Sequence, residues 1–151
     1  MPKLYVFAAC EKVILDQAGV PSLISLFTKL KMLLPGQLAD VPGNAVAPKE
    51  WAVFTSWDRL PTDEGKIFNQ CLQVLYPDGK VFFENRDLKF AVKPGERQHN
   101  AVGIYGFPIG QKGDYMIRMW LEENGSVVVE PVEIRLEVEI ERQSGTLLQS
   151  S

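Results

Sequence analysis

The sequence predicts an all-β protein, an antiparallel β-sandwich of about eight strands with immunoglobulin-like or C2-like character. Two observations predict it: apolar and polar residues alternate over most of the chain, and turn signals recur about every ten residues. With 151 residues, of which 46% are hydrophobic, the chain can bury a core of its own. We therefore expect one domain over residues 1–142 and a flexible polar tail over 143–151.

The N-terminal part contains a predicted strand pair and one ambiguous segment. The residues Asp-Gln-Ala-Gly at 16–19 form the turn that closes the strand pair. The segment 22–33 fits two periods: helical spacing aligns Leu23, Leu26, Phe27, Leu30 and Leu34 behind Pro21, and period two aligns Ile24, Leu26, Leu30 and Met32. We expect a strand, because the preceding turn and the rest of the chain favour strands.

A long loop is predicted over residues 35–50, which include Pro35, Gly36, Pro42, Gly43 and Pro48. Loops of this length are uncommon in compact domains and are often functional or mobile. Further strands are predicted at 51–57, 68–76, 81–83 and 101–107, and a Pro-Asp-Gly turn at 77–79 joins the second to the third. Gly103 and Gly106 indicate bulges or a close backbone approach.

The C-terminal third has the clearest pattern. Residues 115–122 alternate, and Asn124-Gly125 suits a type I′ turn, which needs positive φ at both central positions. An apolar run at 127–129 and a strictly alternating strand at 132–141 follow. The triplet Gly-Asp-Tyr at 113–115 is either a partial tyrosine corner, in which the tyrosine bonds back to the preceding corner, or an ordinary core tyrosine.

Charge and hydropathy restrict the partners. The net charge of -3 argues against nucleic acid, whose binding proteins need a basic surface. No apolar run approaches the ~20 residues of a membrane-spanning helix. The N-terminal apolar run is too short for a signal peptide, so we expect a cytoplasmic protein in which Cys10 and Cys71 are reduced.

Catalytic residues are hard to assign from the sequence. His99 is expected in a solvated loop rather than as a general base or metal ligand. Cys10 and Cys71 are expected as small buried residues rather than nucleophiles. The sequence has no phosphate-binding glycine loop, zinc-ligand spacing or nucleophile elbow, so it predicts no cofactor and does not favour an enzyme.

Two sets of residues are candidates for binding. Asp58, Asp63 and Glu64 could supply loop oxygens to Ca²⁺, although such a site takes roughly six to eight oxygen ligands. Trp120 alternates with the apolar layer of its strand, so it either packs under a loop or belongs to an interaction patch. Pro42 and Gly43, in the long loop, are the other candidates for an interaction surface.

Several motifs resemble a family of small bacterial β-sandwich proteins of unknown function. They are Cys-Glu-Lys-Val at 10–13, Asp16 and Gly19 before 22–27, Trp-Ala-Val-Phe at 51–54, Tyr-Pro-Asp-Gly at 76–79 and Gly-Asp-Tyr at 113–115. The resemblance extends from residue 3 to about residue 140 and involves turns, strand ends and core positions. It implies a β-sandwich, and it implies no activity, cofactor or catalytic residue.

Two function hypotheses follow from these observations. The first is a non-catalytic module that binds a protein partner or associates with its own copies through loops or sheet edges. The second is a small-ligand or metal-binding protein, or an enzyme, with a pocket that the sequence does not reveal. That pocket would use side chains from the set Asp58, Arg59, Asp63, Glu64 and His99. A sandwich fold is compatible with either hypothesis.

Overall fold

A computed structural model of the chain describes residues 2–34, 42–58, 60–91 and 96–142. Over these ranges the chain forms nine strands and one short 3-10 helix, Pro61–Asp63. The strands are β1 (Lys3–Leu15), β2 (Pro21–Leu26), β3 (Lys29–Leu34), β4 (Val46–Asp58), β5 (Phe68–Leu75), β6 (Val81–Phe90), β7 (Arg97–Pro108), β8 (Gly113–Glu123) and β9 (Ser126–Arg142). The prediction of an all-β fold is confirmed, and the predicted tail at 143–151 lies outside the described residues.

The strands form two sheets. One has four strands in the order β2-β1-β4-β7, and the other has five in the order β3-β9-β8-β5-β6. Among the described pairs only β3 and β9 run parallel, which corrects the expectation of a purely antiparallel sandwich. The reason is that the chain changes sheets between β2 and β3 through only Phe27 and Thr28. The immunoglobulin-like or C2-like character stays a prediction.

The segment at 22–33 forms strands, so its helical interpretation is wrong. It forms two strands in different sheets, so its apolar residues do not share one face as period two predicted. Leu26 of β2 is 62% exposed, whereas Leu30 of β3 packs against the core. The turn before them is confirmed, because Asp16 Oδ1 accepts hydrogen bonds from the amides of Ala18 and Val20, both at 2.8 Å.

Two prolines, Pro48 and Pro131, lie inside strands, although the sequence predicts a loop at Pro48. β4 begins at Val46, so residues 46–50 are strand rather than loop, and this corrects the predicted loop boundary. The register between β4 and β7 shifts around Pro48, and the register between β8 and β9 shifts around Pro131. A bulge tolerates proline because the bulged residue need not donate to the ladder. Residues 35–41 of the predicted loop lie outside the described part.

The two sheets pack around one cluster of buried side chains that both sheets contribute. Gln70 of β5 links the sheets at its centre: its Oε1 accepts from Thr55 Oγ1 at 2.6 Å and from Trp57 Nε1 at 3.0 Å. It also accepts from Asn100 Nδ2 of β7 at 3.2 Å. Buried donors need partners, so this one oxygen fixes β5 against β4 and β7.

The C-terminal turns follow the sequence closely. Asn124 and Gly125 have φ values of 52° and 82°, which confirms the backbone that a type I′ turn requires. Tyr115 is buried and its hydroxyl donates to the Gln111 carbonyl at 2.8 Å. This confirms the bond back to the preceding corner that the tyrosine-corner interpretation predicts.

Candidate functional site

The four-stranded sheet has an inner face in the core and an outer face with a different composition. In β4, Trp51, Val53 and Trp57 belong to the core cluster, and Ala52, Phe54 and Ser56 alternate with them on the outer face. We call this outer face, formed by alternate residues of β1, β4 and β7, the arm-side face. It consists mainly of small or aromatic side chains.

Residues 11–26, which we call the arm, fold back over the arm-side face. Beyond the Cys10–Ala52 pair, β1 leaves β4 and pairs with β2 alone. A straight strand would carry the β1–β2 turn away from Ser56 at roughly 3.3 Å per residue. Instead, residues 18–21 line the same cavity as Phe54, Ser56 and His99. The arm therefore covers the sheet and leaves space beneath it.

Two cavities lie along this face. The larger has a volume of about 440 Å³ and is lined by Lys12 of the arm together with Ala52, Gly103 and Tyr105. The smaller, of about 390 Å³, is the one that the β1–β2 turn closes. Both volumes fall within the roughly 300–1,000 Å³ of small-molecule pockets.

The smaller cavity has the more reactive lining. Ser56 Oγ lies 3.0 Å from His99 Nδ1, and the His99 ring stacks on Phe54 with a centroid distance of 5.7 Å. Arg97 donates to Asp58 Oδ1 at 2.7 Å, and its guanidinium lies 3.7 Å from the centre of the Tyr5 ring. These groups present hydroxyl, imidazole and guanidinium donors to one space, which suits a small polar or anionic ligand.

His99 is therefore not a loop residue, which corrects the expectation from the sequence. It lies in β7, opposite Ser56, and is half-buried. The strand begins at Arg97 because the Arg97–Asp58 pair extends the ladder between β4 and β7 to the end of β4. The sequence offered no signal for the Ser56–His99 contact, since the two residues are 43 positions apart.

The calcium candidates have other partners. Asp58 is paired with Arg97, and Asp63 is buried in the 3-10 helix, where its Oδ2 accepts from the Leu60 amide at 2.9 Å. Glu64 is exposed next to it, and Arg59 lies outside the described residues. Across the described ranges, no three His, Cys, Asp or Glu side chains are grouped to hold a metal.

Trp120 lies on the outer face of the five-stranded sheet, yet it is only 7% exposed. Its Nε1 donates to Glu122 Oε1 at 3.2 Å, and the Arg86 guanidinium lies 5.3 Å from its ring centre. Charged side chains of β8 itself and of β6 therefore cover the ring, and little of it is available to a partner. Its role in an interaction stays a prediction.

The cysteines are buried free thiols, one on each outer face. Burial raises the pKa of Cys10. Burial and then the negative charge of Glu122 raise the pKa of Cys71 to about 11. A nucleophilic cysteine needs the opposite shift, because the thiolate is the reactive form.

Pro42 and Gly43 are exposed and belong to a turn that docks on the β7–β8 connection. Pro42 O accepts from the Ala45 amide at 3.0 Å, and Gly43 O accepts from Gln111 Nε2 at 3.4 Å. A Cβ on Gly110 would lie 2.3 Å from Pro42 O, so this close approach requires glycine there. These contacts hold the turn against the β7–β8 connection, and its interaction role stays a prediction.

The arm carries an exposed apolar surface that the sequence analysis missed. Five of its large apolar side chains are between 42% and 62% exposed: Ile14, Leu15, Val20, Ile24 and Leu26. A signal was present, because Val13, Ile14 and Leu15 are consecutive and a strand cannot turn three consecutive residues to one face.

A comparison of the chain with protein-family models gave no match, and neither did a comparison with curated proteins. The resemblance to small bacterial β-sandwich proteins therefore stays a prediction. Within the described residues, no helix has the length and apolar character needed to cross a membrane.

Proposed function

We propose that this protein is a non-catalytic module that binds a protein partner, or another copy of itself, through the arm. The observation that carries the proposal is the presence of five exposed apolar side chains, distributed over both faces of one two-stranded hairpin. Exposed apolar side chains gathered on one element are typical of interaction sites, and burying them gains roughly 25 cal/mol per Å².

The position of the arm supports the same function. The arm is attached to the sheet by β1, while the cavities beneath it leave its underside incompletely packed. Such an element can adjust to a partner without disturbing the core, to which Gln70 and its three donors give a fixed geometry.

Photo-crosslinking tests the proposal. A photoreactive amino acid at Leu15 should give a defined protein adduct in the native host, whereas one at Ile67 should not. Ile67 is a matched control, because it is 62% exposed but lies before β5, away from the arm. The double variant Leu15→Ser/Val20→Ser should lose the partner and keep its fold. Equal adducts from both positions would refute the proposal.

A second candidate function is small-ligand binding under the arm, favoured by the Ser56–His99 contact in the 390 Å³ cavity. A native mass spectrum of the gently purified protein should then show a persistent small adduct above 17.0 kDa. The adduct should disappear in His99→Gln. A bare chain would count against this second function and leave the first unaffected.

The proposal also includes the family, the type of sandwich, the location and the secondary interaction residues that the sequence predicts. Membership of the bacterial β-sandwich family and an immunoglobulin-like or C2-like sandwich are supported by the sequence motifs and by the Tyr115 hydrogen bond. A cytoplasmic location is supported by two free, buried cysteines. Trp120, Pro42 and Gly43 are secondary interaction candidates, after the arm.

A further inference from the structure

The edges of the two sheets differ in how well they resist pairing with another chain. Native edge strands are usually short, charged, or interrupted by proline or a kink. In the described residues, three of the four terminal strands, β2, β3 and β6, have these features. β2 has six residues, with Pro21 at its start and Ser25 at φ 56°, and β3 has six residues, with Lys29 and Lys31. β6 carries Glu84, Arg86, Asp87 and Lys89.

β7 is the exception. It has 12 residues and, with histidine neutral, bears no formal charge from Gln98 to Pro108. Its one left-handed residue, Gly106 at φ 98°, and its proline, Pro108, lie at its C-terminal end, so the stretch 98–105 has none of these features. In the part of the chain that the structure describes, β4 is its only paired neighbour, and no backbone hydrogen bond reaches its other side. Alternate peptide groups of this strand therefore remain available to another strand.

We propose that β7 pairs antiparallel with β7 of a second copy of this chain, which joins two four-stranded sheets into one. The inference goes beyond the proposed function, because it gives self-association a surface distinct from the arm. Self-pairing brings no like charges together: around a two-fold axis at Val102, Ala101 faces Gly103 and His99 faces Tyr105. Tyr105, which is 73% exposed, gains an aromatic neighbour in this arrangement.

The proposed pair is closed. A two-fold axis uses the same edge of both copies, so β7 is then paired on both sides in each copy and no third copy can add at this edge. The outer edges of the joined sheet are β2 beside Cys10–Leu15 and β1 itself along Lys3–Ala9, and the positive φ of Ser25 makes β2 a poor template for pairing. The axis is perpendicular to the sheet, and both arms therefore lie on the same side of the dimer.

Sedimentation velocity over a concentration series tests the inference. One strand pair buries less than the ~1,200 Å² of a standard interface, so we expect a dimer that forms in the micromolar range. Gly103→Lys should abolish it. A Cβ at Gly103 meets nothing within 4 Å and the backbone there is not left-handed, so the variant should fold. Gly103→Thr should keep the dimer. At concentrations where both variants are monomeric, the thermal midpoints of Gly103→Lys and Gly103→Thr should match.

Two controls separate this inference from the proposed function. Val81→Lys places the same charge on the β6 edge, where Val81 is 49% exposed, and should leave the dimer intact. Leu15→Ser/Val20→Ser should also leave it intact. A monomer at all concentrations, or a dimer that survives Gly103→Lys, overturns the inference. A dimer that only the arm variant abolishes overturns it too, while supporting the function proposed for the arm.

Discussion

The two outer faces of this protein cover their buried side chains in different ways. Each buries an aromatic ring and a cysteine on the side of a sheet that faces away from the core: Phe54 and Cys10 on the arm-side face, Trp120 and Cys71 on the other. On the arm-side face the covering element is a hairpin of the chain itself. On the five-stranded sheet the cover consists of charged side chains.

The distribution of ion pairs follows this difference. One described pair, Arg97–Asp58, lies at the end of the arm-side face. Five lie on the five-stranded sheet: Lys29–Glu139, Lys31–Glu141, Arg86–Glu84, Arg118–Glu133 and Arg135–Asp114. A face covered by paired charges offers little apolar area to a partner, whereas a face covered by an apolar arm presents new apolar surface. The comparison therefore favours the arm side as the location of the proposed recognition.

The largest expected effect is on Phe54. Phe54→Ala should lower the free energy of unfolding by about 3–4 kcal/mol, because it removes a ring that is 2% exposed and stacked on His99. Urea denaturation measures this. Tyr105→Ala on the same face is the control and should change stability by less than about 0.5 kcal/mol. Similar small losses for both variants would show that the arm does not cover Phe54 in solution.

Trp120→Ala should cost less, about 2 kcal/mol, because a flexible guanidinium rather than a strand covers its ring. Arg86→Met keeps much of the apolar stem but removes the cation, and should lower the free energy of unfolding less than Trp120→Ala does. Urea denaturation again provides the comparison. A loss in Trp120→Ala that equals or exceeds that in Phe54→Ala would contradict the difference between the covers.

The buried cysteines are expected to change how the stability of the protein depends on pH in the alkaline range. The pKa of Cys71 rises from 9.0 to about 11 on folding, because burial and Glu122 disfavour the thiolate. Its stabilising contribution is complete below pH 9 and is lost as the pH rises from 9 to 11. The free energy of unfolding should therefore fall less over that range in Cys71→Ala than in the wild type. Cys10→Ala should change the slope less, and identical slopes in all three proteins would refute the argument.

The smallest expected effect concerns the surface ion pairs. Lys29→Met and Glu139→Gln should each change the free energy of unfolding only slightly, although Nζ and Oε1 are 2.9 Å apart, because both side chains are well exposed. The difference should shrink further in high salt. A loss of several kcal/mol would mean that the charged cover stabilises its sheet as much as the arm does.

Much of the fold could be predicted locally. The turn at Asp16, the type I′ turn at Asn124-Gly125 and the alternation of β9 depend on backbone preferences of neighbouring residues, so the sequence contains them directly. The candidate site could not be predicted in this way. Ser56 and His99 meet only because β4 pairs with β7 in one register.

The sequence by itself determined the class of the fold and most of its turns, because period-two alternation and turn chemistry act over a few residues. Tertiary structure decided the rest. The segment at 22–33 divides between two sheets because β2 pairs with β1 and β3 pairs with β9. Pro48 lies within a strand because a bulge accommodates it. Above all, the arm folds over the sheet and exposes Leu15 and Val20, since burying Phe54 outweighs leaving a few side chains of the hairpin in water.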